Sequence, residues 1–406
     1  MTTLKIAGGI YREICQFPER REILGSGGRA AAALSEINDD IELHGFAPAD
    51  EQIRFEIQSS LAVYNFHINL YDSTNFVAFR WLYGLASPQQ EPTFGPGEKE
   101  IQMAINGDVI LRYGMVEGNA VVNADVVVYD PQAPLRAQYF TKNGSTAKNL
   151  AYIINSSEAK LLTDQTDPYK QLKQIHELEK AAVVVLKQGP HGAIVSDGIR
   201  TSRIPCFKTP NVWSIGSGDV FSAVFTHYWG IKNMSPENAA YKASLATAFY
   251  CNAAYLPLPL DFAASFVPNP CVPTVQLDGR RKIYLAGPFF TVAQRWLIDS
   301  LRETFLRLNI DVFSPIHDVG EGPANIVAKD DLAGIVKCDV VFAVCDGLDA
   351  GTLFELGYAV SIGRPVVAFT QIENESDLTM LRGTNCMIEK DLDTAIYKAI
   401  WLALEK

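Results

Sequence analysis

The stretch Trp213–Phe221 reads WSIGSGDVF, and the apolar, small-residue run SAVFTHYW follows it. Within it, Gly216-Ser217-Gly218-Asp219 predicts a tight glycine turn that opens a helix. Glycine lets a backbone approach a phosphate closely, and a helix N-terminus supplies unpaired N–H groups and the positive end of a dipole. Asp219 has the chemistry of a general base toward an attacking hydroxyl. A plain helix start capped by an aspartate is the competing interpretation, and a motif this short does not exclude it.

Three earlier segments carry related patterns in a fixed order. They are the glycine turn Gly25-Ser26-Gly27-Gly28, the element Asn155-Ser156-Ser157-Glu158, and the turn Lys187-Gln188-Gly189-Pro190-His191-Gly192-Ala193. Together with residues 213–221, this order is similar to that of ribokinase-like sugar and nucleoside kinases of the pfkB type. The resemblance covers about 250 residues and implies a kinase fold for that part of the chain.

The resemblance also implies roles for individual residues. Asp219 would be the catalytic base, and Glu158 would lie at a Mg²⁺ ion. ATP and its phosphates would be bound by Gly216, Ser217, Gly218, Asn155, Glu158, Gly189 and Gly192. ATP and Mg²⁺ are therefore the cofactors that we expect for this domain.

Several positions depart from the family pattern. Trp213 and Ser214 stand where the signature opens with Asp and Thr, and Ala32 replaces the asparagine after the glycine turn. Glu13 stands for the early aspartate that grips sugar hydroxyls, and residues 40–95, where the family forms a β lid, are unusually aromatic. Two interpretations stay open, a kinase with a changed substrate and a domain that binds a nucleoside or nucleotide without phosphorylating it.

A proline-rich segment, residues 256–281, divides the chain. Proline fixes φ and removes a backbone donor, so it is common in linkers. We expect a kinase-like domain over residues 1–258, a linker over 259–280 and a second domain over 281–406. Apolar runs predict strands at Asn123–Tyr129, Ala182–Leu186, Lys282–Ala286, Asp339–Val344 and Pro365–Phe369. Their alternation with helical patterns predicts an α/β fold in both domains, each with a mostly parallel, Rossmann-like sheet flanked by helices.

The second domain carries the run DGLDAGTLFELGYA, from Asp346 to Ala359. Glu355 falls early in a predicted helix, where the dipole would favour its ionised form. Such a carboxylate beside a small-residue loop is a plausible nucleophile toward a sugar carbon. Asp331, Asp346 and Asp349 are expected near strand ends, where open α/β sheets bind ligands. For Glu355 alone, a helix acid that only satisfies the dipole is the competing interpretation.

This run, with Tyr284-Leu285-Ala286-Gly287-Pro288-Phe289-Phe290 and the dipeptide Asp331-Leu332, resembles the nucleoside 2-deoxyribosyltransferase family over nearly the whole domain. The resemblance implies that Glu355 is the nucleophile and forms a glycosyl-enzyme. Tyr284 would orient that carboxylate, and Asp331 would handle the proton of the base. The implied substrate-binding residues are Asp349, Asp346, Gly287, Phe289 and Asn385, the last lent across a subunit interface. The acceptor stays open between a second base and water, and no cofactor is expected for this domain.

Composition narrows the functional classes. The 406 residues are 48% hydrophobic and carry a net charge of −11 without a basic stripe, which argues against nucleic acid or a membrane as partner. Seven cysteines without a C-x-x-C pair, and an N-terminus without an apolar leader, favour a cytoplasmic protein. We expect an enzyme of nucleoside metabolism whose partners are small nucleosides, bases or sugars, and the resemblance implies a homo-oligomer. The alternative is an N-glycosidase whose first domain is a degenerate regulatory module.

Overall fold

The computed structural model describes residues 2–93, 101–132, 137–271 and 280–405. The chain divides into two compact units, Met1–Pro270 and Cys271–Lys406. Each unit is an α/β structure with its own sheet and core.

The first unit contains two sheets, a pair of short strands and helices. Its strands are β1 (Leu4–Ala7), β2 (Arg12–Phe17), β3 (Arg20–Ile23), β4 (Ile41–Pro48), β5 (His67–Ser73), β6 (Ala78–Tyr83), β7 (Gln89–Glu91), β8 (Ile101–Tyr113), β9 (Gly118–Asp130), β10 (Thr146–Asn155), β11 (Val183–Lys187), β12 (Ala193–Ser196), β13 (Thr201–Ile204), β14 (Cys206–Phe207) and β15 (Pro270–Cys271). Its helices are α1 (Gly25–Leu34), α2 (Glu51–Leu61), α3 (Ser156–Thr163), α4 (Pro168–Glu179), α5 (Ser217–Thr226), α6 (Pro236–Ala253) and α7 (Phe262–Ser265).

The large sheet has the order β13-β12-β11-β10-β9-β8-β1-β4-β5. All neighbouring pairs from β11 to β5 are parallel, and β11, β12 and β13 pair antiparallel at one end. The carboxyl ends of the parallel strands therefore meet at one edge, which is where such sheets bind ligands. The predicted strands Asn123–Tyr129 and Ala182–Leu186 are confirmed as parts of β9 and β11.

Two strands of this sheet bend back on themselves. β8 and β9 have 13 residues each and pair in parallel from Ile101↔Gly118 to Tyr113↔Asp130. A straight strand of that length spans about 40 Å, whereas the connection at residues 114–117 bridges at most about 18 Å. The pairing omits Asp108 and Asp125, and both strands turn there. Each strand thus starts and ends at the carboxyl edge.

The lid differs from the sequence-based expectation. A small sheet has the order β3-β2-β6-β7, so residues 12–23 form half of it. Among the described residues of this region, 40–93, β6 and β7 join this sheet, while β4 and β5 pair with each other in the large sheet. The expectation that residues 40–95 form the lid is therefore wrong for β4 and β5, because buried residues of β4 and helix α2, such as Leu43 and Ile57, are part of the main core.

The first part of the predicted linker packs on the first unit. Phe262 of α7 is fully buried in the main core, and Cys271 in β15 is buried beside β14. The backbone N–H of Lys208 donates to the carbonyl of Asn269 at 2.8 Å. Residues 272–279 of the predicted linker lie outside the described residues. The linker that the structure leaves room for is thus shorter than 259–280.

The second unit is a single five-stranded sheet with helices. Its strands are β16 (Lys282–Ala286), β17 (Asp311–Phe313), β18 (Val340–Val344), β19 (Val366–Phe369) and β20 (Met387–Glu389). Its helices are α8 (Val292–Arg307), α9 (Pro315–Asp318), α10 (Ala324–Lys337), α11 (Ala350–Ser361), α12 (Thr379–Gly383) and α13 (Leu392–Leu404). The order is β17-β16-β18-β19-β20, with every pair parallel, which confirms the three strands predicted here.

Two general properties complete the fold. In the described part of the chain, no helix is both long and apolar enough to cross a lipid bilayer. All seven cysteines lie in the described ranges, and none of them is in a disulfide.

We expect Phe262→Ala to lower the free energy of unfolding of the first unit by about 3–5 kcal/mol, because the ring is fully buried in the core. Urea unfolding of the full chain measures this loss. Val267→Ala is the matched control in the same segment, since Val267 is 85% exposed. Equal midpoints for the two variants would contradict the placement of residues 259–271 in the first unit.

Candidate active sites

The first candidate site lies at the carboxyl edge of the large sheet. Asp130, Asn155 and Lys187 are the last residues of β9, β10 and β11. The N-terminus of α5, which the glycine turn opens, reaches the same place, because a Cβ on Gly218 would lie 3.2 Å from the Lys187 Nζ. The predicted phosphate turn is thus adjacent to a partly buried ammonium group.

The glycine turn has the geometry that the sequence predicts. Gly216 precedes α5 with a φ of 76°, and Ser217 and Gly218 begin the helix. Asp219 follows in the first turn, where it is 7% exposed. Gly189 and Gly192 belong instead to the hairpin between β11 and β12, where a Cβ on Gly192 would collide with the Ile204 carbonyl at 2.1 Å.

The Asn155–Glu158 element forms a capping box for α3. The Asn155 Oδ1 accepts hydrogen bonds from the backbone N–H groups of Ser157 and Glu158, both at 2.9 Å. The Glu158 Oε2 accepts from the Asn155 N–H at 3.0 Å. Both predicted ligand-binding side chains therefore have a structural role as helix caps.

A buried charge cluster lies next to this cap. The Asp130 Oδ2 accepts from the Lys187 Nζ and from the Ser222 hydroxyl, both at 2.6 Å. The Asp130 Oδ1 is buried without a hydrogen-bond partner among the described residues. Burial and the charge of Asp130 raise the pKa of Glu158 to about 7, while Lys187 opposes the shift.

Asp219 is engaged on both carboxylate oxygens. Its Oδ2 accepts from the Arg29 Nη1 at 3.0 Å, and its Oδ1 accepts from the Gln132 Nε2. Its backbone carbonyl accepts from the Tyr113 hydroxyl at 2.8 Å. Burial raises the pKa of Asp219, and Arg29 acts against that rise. The predicted base is therefore a buried ion-pair partner.

The second candidate site lies at the carboxyl edge of the smaller sheet. The Tyr284 hydroxyl, on β16, donates to the Glu355 Oε1 on α11 at 2.6 Å. Tyr284 is fully buried, and its ring stacks on Phe313 with centroids 5.4 Å apart. A rigid phenol thus orients a half-buried carboxylate that faces the end of the sheet.

Burial and neighbouring groups influence the pKa of Glu355 in addition to the helix dipole. Burial raises its pKa to about 7, Tyr284 lowers it, and the carboxylates of Asp331 and Asp349 raise it further. Glu355 is the sixth residue of α11 and lies beyond the first turn, where the dipole acts most strongly. Burial therefore opposes the ionised form that the helix dipole was expected to favour.

Asp331 lies in the middle of α10 rather than at a strand end. Its Oδ1 is buried without a hydrogen-bond partner among the described residues. Burial and Asp330 raise the pKa of Asp331. Its charge also raises the pKa of both Tyr284 and Glu355, so the three groups form one electrostatic cluster.

Asp349 and Asp346 hold the loop before α11. The Asp349 Oδ2 caps α11 by accepting from the N–H and hydroxyl of Thr352, at 2.8 and 2.9 Å. The Asp346 Oδ1 accepts from the Thr370 hydroxyl at 2.7 Å and from the N–H groups of Gln371 and Ile372 at 2.8 and 3.2 Å. Asp346 thereby ties the loop after β18 to the loop after β19.

The remaining predicted substrate-binding residues lie around this edge. Gly287 follows β16, where a Cβ would approach the Ile298 Cδ1 to 2.8 Å. Phe289 contacts Phe290 with ring centroids 5.0 Å apart. Asn385 is exposed and adopts a φ of 60° before β20. None of these three contacts Glu355 through a hydrogen bond in the described part of the chain.

Two family models match the chain, one in each unit. Residues 122–255 match the model of the pfkB family of carbohydrate kinases, and residues 283–391 match that of nucleoside 2-deoxyribosyltransferases. The chain therefore joins a pfkB-family domain to a nucleoside 2-deoxyribosyltransferase-family domain. Both are families of enzymes. We call the first unit the pfkB unit and the second the transferase unit.

Individual relatives are distant. An uncharacterised protein of Ureaplasma parvum serovar 3 is 30% identical over 130 residues, which is 28% of this chain and 82% of that protein. The adenosine kinase of Sinorhizobium meliloti is similar in structure with a TM-score of 0.50 at 13% identity, over 65% of this chain and 98% of that chain. A ribokinase of Thermotoga maritima has a TM-score of 0.48 at 13% identity, over 65% and 99%. At this identity the adenosine kinase likeness shows the fold alone.

Kinases of the pfkB family use ATP and Mg²⁺. The pfkB unit offers two buried carboxylates for such an ion, the unpartnered Oδ1 of Asp130 and the neighbouring Glu158. Protein Mg²⁺ sites commonly use one or two carboxylates together with waters and substrate phosphates. No cluster of three metal-ligating side chains occurs among the residues that the structure describes. Asp130 and Glu158 therefore fit an ion shared with a nucleotide, whose phosphate charge it would neutralise.

Three residues of the pfkB site, Asp130, Gln132 and Arg29, belong to no motif described above. Asp130 directly follows the predicted strand Asn123–Tyr129, a position that could have drawn attention to it. Gln132 lies two residues further on and had no signal of its own. Arg29 is the single charged residue in GSGGRAAAAL, which is the signal of a buried charge in need of a partner.

We expect Asp346→Ala to lower the free energy of unfolding of the transferase unit by about 1–3 kcal/mol, because three donors lose their acceptor. Thermal unfolding of the full chain measures this change. Asp377→Ala, at an exposed position of the same loop region, is the control. A variant as stable as that control would instead favour the direct substrate contact that the sequence predicted for Asp346.

Proposed function

We propose that the transferase unit cleaves the N-glycosidic bond of a nucleoside through a covalent intermediate on Glu355. The observation that carries this proposal is the 2.6 Å hydrogen bond from the buried Tyr284 hydroxyl to the Glu355 Oε1. It fixes one carboxylate oxygen and leaves the other for a sugar carbon. The family match over residues 283–391 supports the same chemistry.

In the first step, an ionised Glu355 oxygen forms a bond to the sugar C1′, and the C1′–N bond to the base breaks. The base leaves with the electron pair of that bond and takes up a proton. Asp331 is suited to supply this proton, because burial and Asp330 raise its pKa and one of its oxygens is unpartnered. Two carboxylates in different environments can divide the nucleophile and acid roles in this way.

In the second step, a nitrogen of another base attacks C1′, and the ester bond to Glu355 breaks. The proton of the incoming base returns to Asp331, so the enzyme regains its starting state. Attack by water in place of the base would give hydrolysis and a free sugar. The apolar loop at Gly287-Pro288-Phe289-Phe290 favours an unphosphorylated sugar end.

We further propose that the pfkB unit binds a nucleoside or sugar together with ATP and Mg²⁺. Asp130, Glu158, Lys187 and the glycine turn at Gly216 support a phosphate and metal site at one edge. A nucleoside recognised by both units would link them in one salvage pathway. Two interpretations of this unit are open, a kinase and a binding module. They differ in whether Asp219 can accept a proton from an acceptor hydroxyl.

We propose that the protein acts as a cytoplasmic homo-oligomer. The seven thiols without a disulfide favour a reducing compartment. Phe290, Val292 and Trp296, at the start of α8 and just before it, are 71%, 89% and 52% exposed. A second copy of the chain would cover such apolar side chains, and it would bring an exposed Asn385 to a neighbouring sugar site.

We expect Glu355→Gln to reduce base exchange between a deoxynucleoside and a second free base by about 10³-fold or more, since an amide cannot form the glycosyl ester. Chromatography of the nucleosides measures the exchange, and mass spectrometry of the quenched wild type detects the adduct on Glu355. Glu321→Gln, at an exposed position of the same unit, should retain the wild-type rate. Full activity of the Glu355 variant would refute the mechanism.

We expect kcat/KM to rise with pH through about 7, because the nucleophile must lose its proton and burial raises the pKa of Glu355 to that value. Tyr284→Phe removes a hydrogen bond that lowers this pKa, so its rising limb should shift to higher pH with a lower plateau. Initial rates between pH 5 and 9 measure both profiles. A limb near pH 4.5, or an unshifted one in the variant, would contradict this assignment.

A further inference from the structure

The pfkB unit contains a fully buried arginine at the place where its site should receive a substrate. Arg29 lies in the first turns of α1 and is 0% exposed. Its guanidinium reaches the catalytic-base candidate Asp219 on one side and Glu13 of β2 on the other. By the family resemblance, these two carboxylates should contact the acceptor hydroxyls.

Every nitrogen of this guanidinium has a partner. Nη2 donates to the Glu13 Oε2 at 2.6 Å, and Nη1 donates to the Glu13 Oε1 at 3.2 Å and to the Asp219 Oδ2 at 3.0 Å. Nε donates to the Tyr250 hydroxyl at 3.1 Å. Breaking one partner out of such a buried ion network is strongly unfavourable, because it leaves an uncompensated charge.

The two carboxylates are occupied as a result. Asp219 accepts from Arg29 on one oxygen and from Gln132 on the other. Glu13 accepts from Arg29 on both oxygens, and its Oε2 also accepts from the Gly25 N–H at 3.2 Å. A general base must direct a lone pair at the hydroxyl that it deprotonates. An adjacent guanidinium also reduces the basicity of the carboxylate.

Neighbouring residues hold the arginine in place. The Tyr250 hydroxyl, which accepts from the Arg29 Nε, also accepts from the Trp213 Nε1 at 3.1 Å and donates to the Ile215 carbonyl at 2.9 Å. Arg20, on lid strand β3, lies 4.9 Å over the Trp213 ring. Trp213 is the residue that replaces the aspartate of the family signature, so this departure supports the position of Arg29.

The glycine turn is shaped around the same side chain. A Cβ on Gly216 would lie 2.1 Å from the Arg29 Nε and 2.2 Å from its Cδ. The backbone of the turn therefore packs directly on the guanidinium. The Arg29 guanidinium thus lies between Glu13 of β2 and the start of α5.

We propose that Arg29 occupies the place of the phosphate acceptor in the pfkB unit, so that this unit does not transfer phosphate to a hydroxyl group. Arg29 replaces the substrate as the hydrogen-bond partner of Glu13 and Asp219. The phosphate and metal side of the site, at Asp130, Glu158 and Lys187, is left unchanged by this arrangement, so the nucleoside that we propose for this unit would bind there as part of a nucleotide and not as a phosphate acceptor. The inference concerns the pfkB unit alone and is independent of the chemistry proposed for Glu355.

Phosphotransfer is tested on the wild-type full chain with Mg-ATP and a panel of acceptors, namely ribose, 2-deoxyribose, fructose, adenosine, inosine and their 2-deoxynucleosides. We expect that no part of the ATP turnover measured above the blank depends on Asp219. Turnover that Asp219→Asn leaves unchanged belongs to another site and agrees with the proposal. Turnover that disappears in Asp219→Asn would overturn it.

Stability tests the ion network itself. We expect Arg29→Met to lower Tm by about 10 °C, because two buried carboxylates lose their counter-charge. The triple variant E13Q/R29M/D219N should recover most of that loss, since the two carboxylates bonded to Arg29 are then neutral as well. It also keeps the test valid if the single variant does not fold, because a triple variant that fails to fold as well would overturn the proposal. An unchanged Tm in R29M would do the same.

Two controls accompany these measurements. Asp72→Asn removes the partner of Arg54 in a surface ion pair, in which the Arg54 Nη2 and the Asp72 Oδ1 are 2.5 Å apart. Because the Asp72 side chain is 81% exposed, this substitution should leave Tm unchanged. Base exchange in the same preparations reports on the transferase unit. If the wild type shows no base exchange, the function proposed for Glu355 is refuted, and the inference on Arg29 is unaffected.

Discussion

A charge removed from water must find a partner, and this constraint determines the character of both sites. Around Arg29 in the pfkB unit, the constraint is met, because Arg29 is bonded to Glu13, Asp219 and Tyr250. In the transferase unit, it is met only in part, because Glu355 has one phenolic donor and two carboxylate neighbours. Two sheets that present the same kind of edge thus differ in how well their buried charges are compensated.

This difference has a chemical meaning. The ion network around Arg29 is held firmly, since each oxygen of Glu13 and Asp219 already accepts from a protein donor. An under-compensated carboxylate has a raised pKa and an open side, which are properties of groups that take part in reactions. The residue types alone are similar in the two sites, and their surroundings decide which of them can do chemistry.

Much of the fold followed from local patterns. The apolar runs located strands such as Lys282–Ala286, because continuous Val/Ile segments buried on both faces are typical of parallel sheets. The pairing of Tyr284 with Glu355 came from the family motif, and the structure brings the two side chains together. Such strands can be predicted from the sequence because they depend on residues that are neighbours in the chain.

The rest depended on contacts between distant residues. Arg29 meets Asp219, 190 positions away, and Tyr250, 221 positions away, and no spacing rule predicts such partners. The effect of burial on the pKa of Glu355 could not be predicted for the same reason, because the helix dipole can be inferred from sequence but the depth of burial cannot. The predicted bounds of the lid and of the linker include Leu43, Ile57 and Phe262, which are core residues in the structure.

The parallel strands β8 and β9 of the pfkB unit follow each other through the short connection 114–117, whereas most α/β proteins join parallel neighbours through a helix. Their outer turns, at Asp108 and Asp125, lie at the amino edge, near Val109 and its partner Leu4. The candidate site residues Asp130, Asn155 and Lys187 lie at the opposite edge. The turns therefore offer places where evolution or an engineer can lengthen the chain, or move its ends, with little effect on the chemistry, as exposed turns commonly allow.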